Sequence, residues 1–401
     1  MIRQRLLIAM GVLCSLVYLI GCVDDFNADI YTSKEYLLVD GTLTDLNEPQ
    51  YVSIFSTPKD ASFKSSDFTS KIYPARQSYF PEQQALVKLI INQKDEIQLE
   101  ERLAGYYYCP NGFRAKAGNT YQLRFQLANG KVYETDVETM YSVPAIKNVS
   151  EDFNLTGIPN VAGSSTTVSS NDIYVDFDDA PNEKNFYRWR WVNWEIQRIC
   201  ATCTQGRYYL FETEQGETGD CYRDLTLKVN DRFDYYCGTR CWDIFYSSDI
   251  NILSDVYTNG KPQKNRLAAQ IPLRQSNPCL VSLQQMSLSP NTYRYLKLLQ
   301  DQSINTGTLA DTPPAPLRGN IRNVKDANEL VLGYFSASSV SEVRVMLDRR
   351  NTTGGLPNGL YSFINNRPVT LEELSNERPD VPLAICQPSF TRTPIPPLGW
   401  R

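Results

Sequence analysis

The sequence predicts a mainly β protein. We expect an N-terminal immunoglobulin-like β-sandwich, followed by a second, larger β-rich domain with two short helices and a disulfide-stapled excursion. Short runs of β-branched and aromatic residues, bounded by turn residues, recur along the chain as they do in sandwich proteins. The 401 residues are enough for two or three domains with buried cores. Cysteines are concentrated between positions 200 and 241, which predicts the excursion.

The first 21 residues have the pattern of a secretory signal peptide. Two arginines precede an apolar run over residues 6–20. This run has about 15 residues, fewer than the roughly 20 of a membrane-spanning helix, which disfavours an uncleaved anchor. The ending Leu19-Ile20-Gly21-Cys22 resembles the lipobox of bacterial lipoproteins. That resemblance implies removal of residues 1–21 and lipidation of Cys22. The alternative is a plain signal peptide without lipid, and the presence of Cys22 argues against it.

Lipidation at Cys22 predicts a protein held in a membrane by its lipid. Each buried methylene contributes about 0.8 kcal/mol, so two or more acyl chains anchor a protein stably. Residues 22–33 then form a lipidated polar tether. In this tether, Asp24-Asp25-Phe26 resembles the acidic tag that sends Bacteroidota lipoproteins to the outer face of the outer membrane. The alternative is an ordinary solvated linker. We expect a lipid-anchored protein at the cell surface.

Composition excludes several classes of function. The 40 basic and 45 acidic residues give a net charge of −5 without a basic block, which excludes nucleic acid as a partner. The chain has no histidine, which excludes Ser-His-Asp and Cys-His catalysis and imidazole-ligated metals. It also has no P-loop, Gly-x-Gly-x-x-Gly or Gly-x-Ser-x-Gly motif. We therefore predict no catalytic residue, metal or cofactor, although a pair of carboxylates could still catalyse hydrolysis.

The first β domain is predicted over residues 34–145. Its strands are expected at residues 35–43, 51–55, 84–91, 120–127 and 131–137. The clearest hairpin has the turn Ala128-Asn129-Gly130 between the last two strands, and Asn-Gly suits a tight turn. In the strand before this turn, alternate residues point to one face, namely Tyr121, Leu123, Phe125 and Leu127.

The second β-rich domain is predicted over residues 146–401. A loop rich in Ser, Thr, Gly and Asn, Thr156 to Asn171, precedes strands at 172–177 and 186–195. In the latter strand, Tyr187, Trp189 and Trp191 share one face. That face is either a stacking platform for sugars or bases, or part of a hydrophobic core, and we favour the core. The interleaved arginines at 188 and 190 would then point outward.

Eight cysteines are candidates for disulfides. Of the ten in the chain, Cys14 leaves with the signal and Cys22 carries the lipid. An even number in an exported protein indicates disulfides. The alternative is a zinc site, but its second cysteine doublet would be loosely spaced. The sequence leaves the pairing open among Cys109, Cys200, Cys203, Cys221, Cys237, Cys241, Cys279 and Cys386.

The excursion over about 200–241 is rich in aromatic residues. Tyr208 to Phe211, the pair Tyr235-Tyr236 and the adjoining Trp242 either pack internally or contact a partner. The sequence does not decide between these alternatives.

Two helices stand out from the β pattern of the second domain. Ser289 and Pro290 are typical of a helix start, and this helix is expected to run to about Gln302. Thr370-Leu371-Glu372-Glu373 resembles a capping box for a short helix that ends before Pro379. Closing strands are expected at 330–335 and 342–347. The proline-rich tail near residue 395 cannot join a central strand.

Several motifs resemble a Bacteroidota lipoprotein family known as domain of unknown function 4249. The most specific are residues 312–321, which read TPPAPLRGNI, and residues 331–338, which read VLGYFSAS. Further resemblance lies in residues 36–41, 117–121, 186–189 and 241–242, so that it covers nearly the whole mature chain. The family has no catalytic residues to carry over. The proline and Gly-Tyr-Phe motifs are also explained by structure alone, since proline fixes a loop and glycine allows close backbone approach.

The resemblance also implies a functional context. Members of this family look like neighbours of outer-membrane TonB-dependent receptors of the starch-utilisation (SusC-like) type. We therefore expect a non-catalytic accessory lipoprotein that helps such a receptor to capture or admit a substrate. The alternatives are a freestanding glycan- or protein-binding module and, third, a carboxylate-based hydrolase. No ligand-binding residue is predicted.

Overall fold

The computed structural model describes residues 30–32, 34–58, 61–63, 79–159, 167–181, 184–214, 216–304, 317–354 and 382–401. Within these residues the chain forms 26 strands and one α-helix, which confirms the mainly β architecture. The predicted signal peptide, Cys22 and the helix expected at Thr370 lie outside the described residues. Strands are numbered here in chain order.

The first sandwich consists of two sheets that share one hydrophobic core. The seven-stranded sheet contains β2 (Leu37–Thr44), β3 (Tyr51–Ser56), β5 (Phe80–Pro81), β8 (Glu100–Leu103), β9 (Tyr106–Tyr108), β23 (Val331–Leu332) and β24 (Phe335–Ser338). The six-stranded sheet contains β6 (Leu86–Ile91), β7 (Asp95–Gln98), β10 (Thr120–Gln126), β11 (Val132–Thr135), β12 (Glu138–Thr139) and β22 (Ile321–Asn323). Two further strands, β1 (Ile30–Thr32) and β4 (Ala61–Phe63), pair with each other.

The predicted hairpin of the first sandwich is confirmed. Strand β10 pairs with β11 in antiparallel register, and Phe125 lies opposite Tyr133 with their rings stacked at 5.1 Å. Tyr121 and Leu123 point to the same buried face as Phe125, as the alternation predicts. Gly130 adopts a φ of +83° in the turn, a conformation that glycine adopts without steric cost.

The first sandwich is completed by strands that lie almost 200 residues further along the chain. Strands β23 and β24 pair in parallel with β2, and β22 adds to the edge of β11. Ile321, Val331 and Phe335 are buried in the first core. Between β23 and β24, Gly333 has a φ of +88°, and a Cβ there would lie 2.0 Å from the carbonyl oxygen of Val39. Only glycine fits this position, which gives the Gly-Tyr-Phe motif a structural role.

The domain limits 34–145 and 146–401 stay predictions.

The second sandwich also has two sheets around one core. The three-stranded sheet contains β13 (Asn148–Pro159), β14 (Thr167–Asp178) and β20 (Pro262–Pro272). The six-stranded sheet contains β15 (Phe186–Thr204), β18 (Arg232–Tyr246), β19 (Asn251–Ser254), β21 (Cys279–Ser287), β25 (Val340–Leu347) and β26 (Arg392–Thr393). Tyr187, Trp189 and Trp191 are 1%, 1% and 5% exposed within this core, so the core interpretation of that face is confirmed.

The prediction of a loop from Thr156 to Asn171 is wrong at both ends. Strand β13 extends to Pro159 and β14 begins at Thr167, and Ile158 lies opposite Val168 in their ladder. The loop prediction relied on the polar composition of this stretch, which gives a weak local strand propensity. Backbone hydrogen bonds to neighbouring strands outweigh that weak propensity. Ser170 is buried, and its hydroxyl donates to Asp172 at 2.6 Å.

The rest of the second half consists of one hairpin and two helical segments. The hairpin pairs β16 (Gly206–Thr213) with β17 (Gly216–Arg223), inside the predicted excursion. The predicted helix after Ser289 is confirmed as α1 (Pro290–Ile304), and the Ser289 hydroxyl accepts from the Thr292 amide at 3.1 Å. A 3-10 turn spans Asp255–Tyr257. No helix in the described ranges has the length and apolar character needed to cross a membrane.

A buried carboxylate joins the two sandwiches. Glu138, in β12, is 1% exposed. Its Oε2 accepts from Ser289 and Thr292 at the start of α1, at 2.6 and 3.2 Å. Its Oε1 accepts from Tyr334 at 2.8 Å and from Asn320 at 3.3 Å. Burial raises the pKa of Glu138, while these four hydrogen bonds oppose that rise. One side chain thus connects the first sandwich, the helix and the returning strands.

Replacing this carboxylate should destabilise the protein strongly. In Glu138→Ala, four buried donors lose their acceptor, so we expect the free energy of unfolding to fall by about 3 kcal/mol. Urea denaturation followed by tryptophan fluorescence measures this change. The control is Glu100→Ala, whose side chain is 74% exposed in a surface ion pair with Arg102 and should change stability by less than about 0.5 kcal/mol. Equal losses in the two variants would contradict the role of Glu138.

Candidate functional site

A cleft of about 800 Å³ opens at the edge of the second sandwich. One wall is formed by the end of β18, including Phe245 and Tyr246, and the opposite wall by Ile158 of β13 and Pro272 of β20. The remaining wall is the C-terminal segment 382–401, which we call the strap. We call the cavity the strap cleft. It lies where the two sheets of the second sandwich separate.

The strap is fixed to β18 along its length. Its strand β26 pairs with Trp242 and Asp243, and the amide of Ile244 donates to the carbonyl of Thr391 at 2.8 Å. Arg392 forms an ion pair with Asp243 at 2.7 Å and donates to the carbonyl of Cys200 at 3.0 Å. The strap is also bound covalently through the Cys241–Cys386 disulfide. This wall is therefore held in place by covalent, ionic and backbone interactions together.

The floor of the strap cleft combines aromatic and cationic side chains. The guanidinium of Arg274 lies 3.8 Å from the ring centroid of Phe245 and donates to Asn193 at 3.1 Å. Trp191 borders the same cavity. A largely apolar cleft with a few oriented polar groups is the usual environment of a small-molecule ligand.

Behind this floor lies a buried ion pair. Glu195 and Arg349 are fully buried, with a distance of 2.9 Å between Oε1 and Nη1. Gln275 donates to the same carboxylate at 3.0 Å. Burial raises the pKa of Glu195, and the charge of Arg349 counteracts it. This carboxylate supports the floor and does not face a ligand.

Six of the eight candidate cysteines form disulfides in the structure. The pairs are Cys200–Cys237, Cys203–Cys221 and Cys241–Cys386, with Cα–Cα distances of 4.8, 5.4 and 5.6 Å. The sulfurs of Cys200, Cys241 and Cys386 lie within 4.8 Å of one another because two of these disulfides are neighbours. Since zinc is bound by thiolates, the pairing favours disulfides over the zinc interpretation. Cys22, the predicted lipidation site, lies outside the described residues.

The inclusion of Cys109 and Cys279 among the disulfide candidates is corrected by the structure. Both are buried free thiols. Cys109 lies in the core of the first sandwich and Cys279 in that of the second, so neither can reach the other. Burial raises the pKa of Cys109 to about 12 and also raises the pKa of Cys279. Both side chains are therefore protonated and unreactive at neutral pH.

Some aromatic residues of the excursion are buried and others are exposed. Tyr208, Tyr235 and Trp242 are buried, and Trp242 packs against Trp400 of the strap at 5.5 Å. On the β16–β17 hairpin, Phe211 and Tyr222 are 40% and 51% exposed and contact each other at 5.3 Å. The Cys203–Cys221 disulfide attaches this hairpin to β15. The exposed rings are thus presented on a rigid support.

Sequence reasoning did not find the residues of the strap cleft. Arg274 and Phe245 belong to no motif, and they meet only because β18 and the segment after β20 converge. Cys386 was the available signal, since a cysteine in a C-terminal segment indicates that the segment is tied to another part of the fold.

Comparison with known proteins assigns the chain to a protein family. A family profile described as a domain of unknown function, DUF4249, matches residues 23–344. The chain belongs to this family. The match confirms the assignment to DUF4249 that the sequence motifs indicate. The DUF4249 region ends within β25, so the last residues of the second core and the whole strap lie beyond it. No curated protein matches the sequence.

The disulfide pattern can be tested by counting thiols. In the mature chain with Cys22→Ser, we expect no reaction of the native protein with Ellman's reagent, because both free thiols are buried and protonated. Unfolding in guanidinium without reductant should expose two thiols, those of Cys109 and Cys279. Unfolding after full reduction serves as the control and should release the remaining six as well. A count of zero in the unreduced, unfolded protein would mean that all eight cysteines are paired.

Proposed function

We propose that this protein is a non-catalytic, surface-exposed lipoprotein of the outer membrane that binds a ligand and assists its uptake by a TonB-dependent receptor. The strap cleft is the observation that carries the binding role, since it has the size and the lining of a ligand site. The signal sequence with Cys22 supports the lipid anchor. The receptor partner rests on the family resemblance of the sequence.

Membrane tethering makes such a partnership physically reasonable. A lipid at Cys22 and a receptor embedded in the same membrane would be confined to one surface, which raises their effective concentration. A modest interface is then sufficient for association. The ligand could be captured in the strap cleft and transferred over a short distance.

The state of the carboxylates supports a binding role over hydrolysis. A glycosidase needs two accessible carboxyl groups on either side of the bond that it cleaves. Two carboxylates line the strap cleft, Asp243 and Asp249, and Asp243 is occupied by Arg392 and accepts from Gln197 at 2.5 Å. Glu195 is enclosed beneath the floor with Arg349. The carboxylate-based hydrolase is therefore the least supported of the three functions.

The exposed hairpin favours one alternative function. Tyr209, Phe211 and Tyr222 form a cluster of ring contacts on β16 and β17, and each is at least 40% exposed. Exposed aromatic residues on a rigid element are typical of binding interfaces. A freestanding glycan- or protein-binding module would use this surface without a receptor.

The lipid anchor predicts a change in fractionation. Cys22→Ser removes the thiol that would carry the lipid, so we expect the protein to move from the membrane pellet to the soluble fraction. Immunoblotting of the separated fractions measures this redistribution. The matched control is Cys14→Ser, which changes the other cysteine of the leader and should leave the protein in the membrane. Retention of Cys22→Ser in membranes would contradict lipidation at this position.

The receptor partnership predicts co-purification. A tagged copy of the native lipoprotein, isolated from outer membranes in mild detergent, should bring down a TonB-dependent receptor barrel that mass spectrometry identifies. A different tagged lipoprotein from the same membrane is the control for nonspecific recovery. If the barrel is absent from the specific sample while the bait is recovered intact, the accessory role fails and the freestanding module is favoured.

A further inference from the structure

A second cluster of polar side chains lies between the two sandwiches. The outer face of the β2–β3 sheet and the outer face of β15 approach each other there. Arg190 lies 3.9 Å from Glu48, and the rings of Tyr106 and Phe390 are 5.4 Å apart. These two contacts join residues of the first sandwich to residues of the second. We call the space between them the inter-sandwich crevice.

One wall of the crevice carries two neighbouring guanidinium groups. Arg188 and Arg190 alternate with the buried Trp189 on β15, so both point away from the core. Arg190 donates to Gln284 at 2.7 Å. The Nε of Arg188 is buried and, among the described residues, has no hydrogen-bond partner. Burial lowers the pKa of both arginines, and the charge of Arg190 lowers that of Arg188 further. A buried donor without an acceptor is costly, so this site is suited to a ligand oxygen.

The opposite wall carries a carboxylate and exposed tyrosines. Asp40 is open to solvent, yet the surrounding protein raises its pKa, as expected for a side chain inside a crevice. The charges of Arg188 and Arg190 oppose that rise, although among the described residues Asp40 forms no ion pair with either of them. Tyr51 is 39% exposed and contacts Tyr106 with a centroid distance of 5.6 Å.

The crevice therefore offers three kinds of contact at close spacing. Arginine forks bind carboxylate and other oxyanions. Asp40 and Glu48 accept hydrogen bonds from hydroxyl groups. Tyr51 and Tyr246, which is 55% exposed, supply flat apolar surfaces for a ring. A sugar ring that bears a carboxylate presents an oxyanion, several hydroxyl donors and an apolar face within one residue.

We propose that the inter-sandwich crevice binds acidic sugars, with the sugar carboxylate at Arg188 and Arg190, its hydroxyl groups at Asp40 and Glu48, and its ring against Tyr51. Tyr246 and Asp249 border both the strap cleft and this site. It does not depend on a receptor partner or on the lipid anchor.

The test is calorimetric titration of the full mature chain, carrying Cys22→Ser for solubility, with trigalacturonate. The neutral analogue, trigalactose, is titrated in parallel. We expect binding of the acidic trimer only, weakening with added salt as charge recognition requires. Arg188→Gln should reduce the affinity at least about tenfold, because it removes charge-assisted hydrogen bonds. Arg322→Gln is the matched control, since its side chain is 47% exposed on the first sandwich and pairs with Glu134 and Asp136 there.

A second variant keeps the proposal testable if Arg188→Gln does not fold. Tyr51→Ala truncates an exposed ring and should lower the affinity about fivefold by loss of stacking. Unchanged affinity in both variants, equal binding of trigalactose, or no binding of trigalacturonate at millimolar concentration would overturn the proposal. Arg188-dependent binding of dialanine in place of the sugar would assign the crevice to peptides and would equally overturn it. Membrane fractionation and co-purification would be unaffected by any of these results.

Discussion

The architecture depends on one buried carboxylate that satisfies donors from two distant parts of the chain. Glu138 accepts from the first turn of α1 and from the returning segment that contains Asn320 and Tyr334. A buried carboxylate is tolerated only where hydrogen bonds compensate its desolvation. Here that requirement fixes the helix start, the return of the chain and the first sandwich in one arrangement. The same carboxylate links β12 of the first sandwich to the helix that follows β21 of the second.

The local features of the fold were predictable because they depend on neighbours in sequence. Alternation located β10 and the buried face of β15, and a serine followed by proline located the start of α1. Non-local pairing was not predictable in the same way. Nothing in the sequence of β23 and β24 indicates that they pair in parallel with β2, since strand partners leave no mark on composition. The ladder between β13 and β14 was not predicted either, because polar residues within it give a weak local strand signal.

Both candidate sites lie where separate segments converge, which explains why sequence motifs did not reveal them. The strap cleft needs Arg274, Phe245 and a wall from the last 20 residues. The inter-sandwich crevice brings Asp40 of β2 near Arg188 of β15. In sequence, Arg188 and Arg190 were recognisable only as the outward residues of a strand with a buried aromatic face. Their role in the proposed binding site depends on the residues that lie opposite them in the crevice.

The covalent attachment of the strap has a consequence for the order in which the molecule can assemble. The Cys241–Cys386 bond joins residues 145 positions apart, and strands β23 and β24 complete a sheet that begins at Leu37. The strands of the first sandwich up to Thr139 are synthesised first, but their partner strands begin only at Ile321. Until then the edge of β2 has no neighbour, and unpaired edges invite aggregation. The N-terminal half must therefore remain protected until residues 321–338 are available, and a chain that stops before them would leave neither half in its finished form.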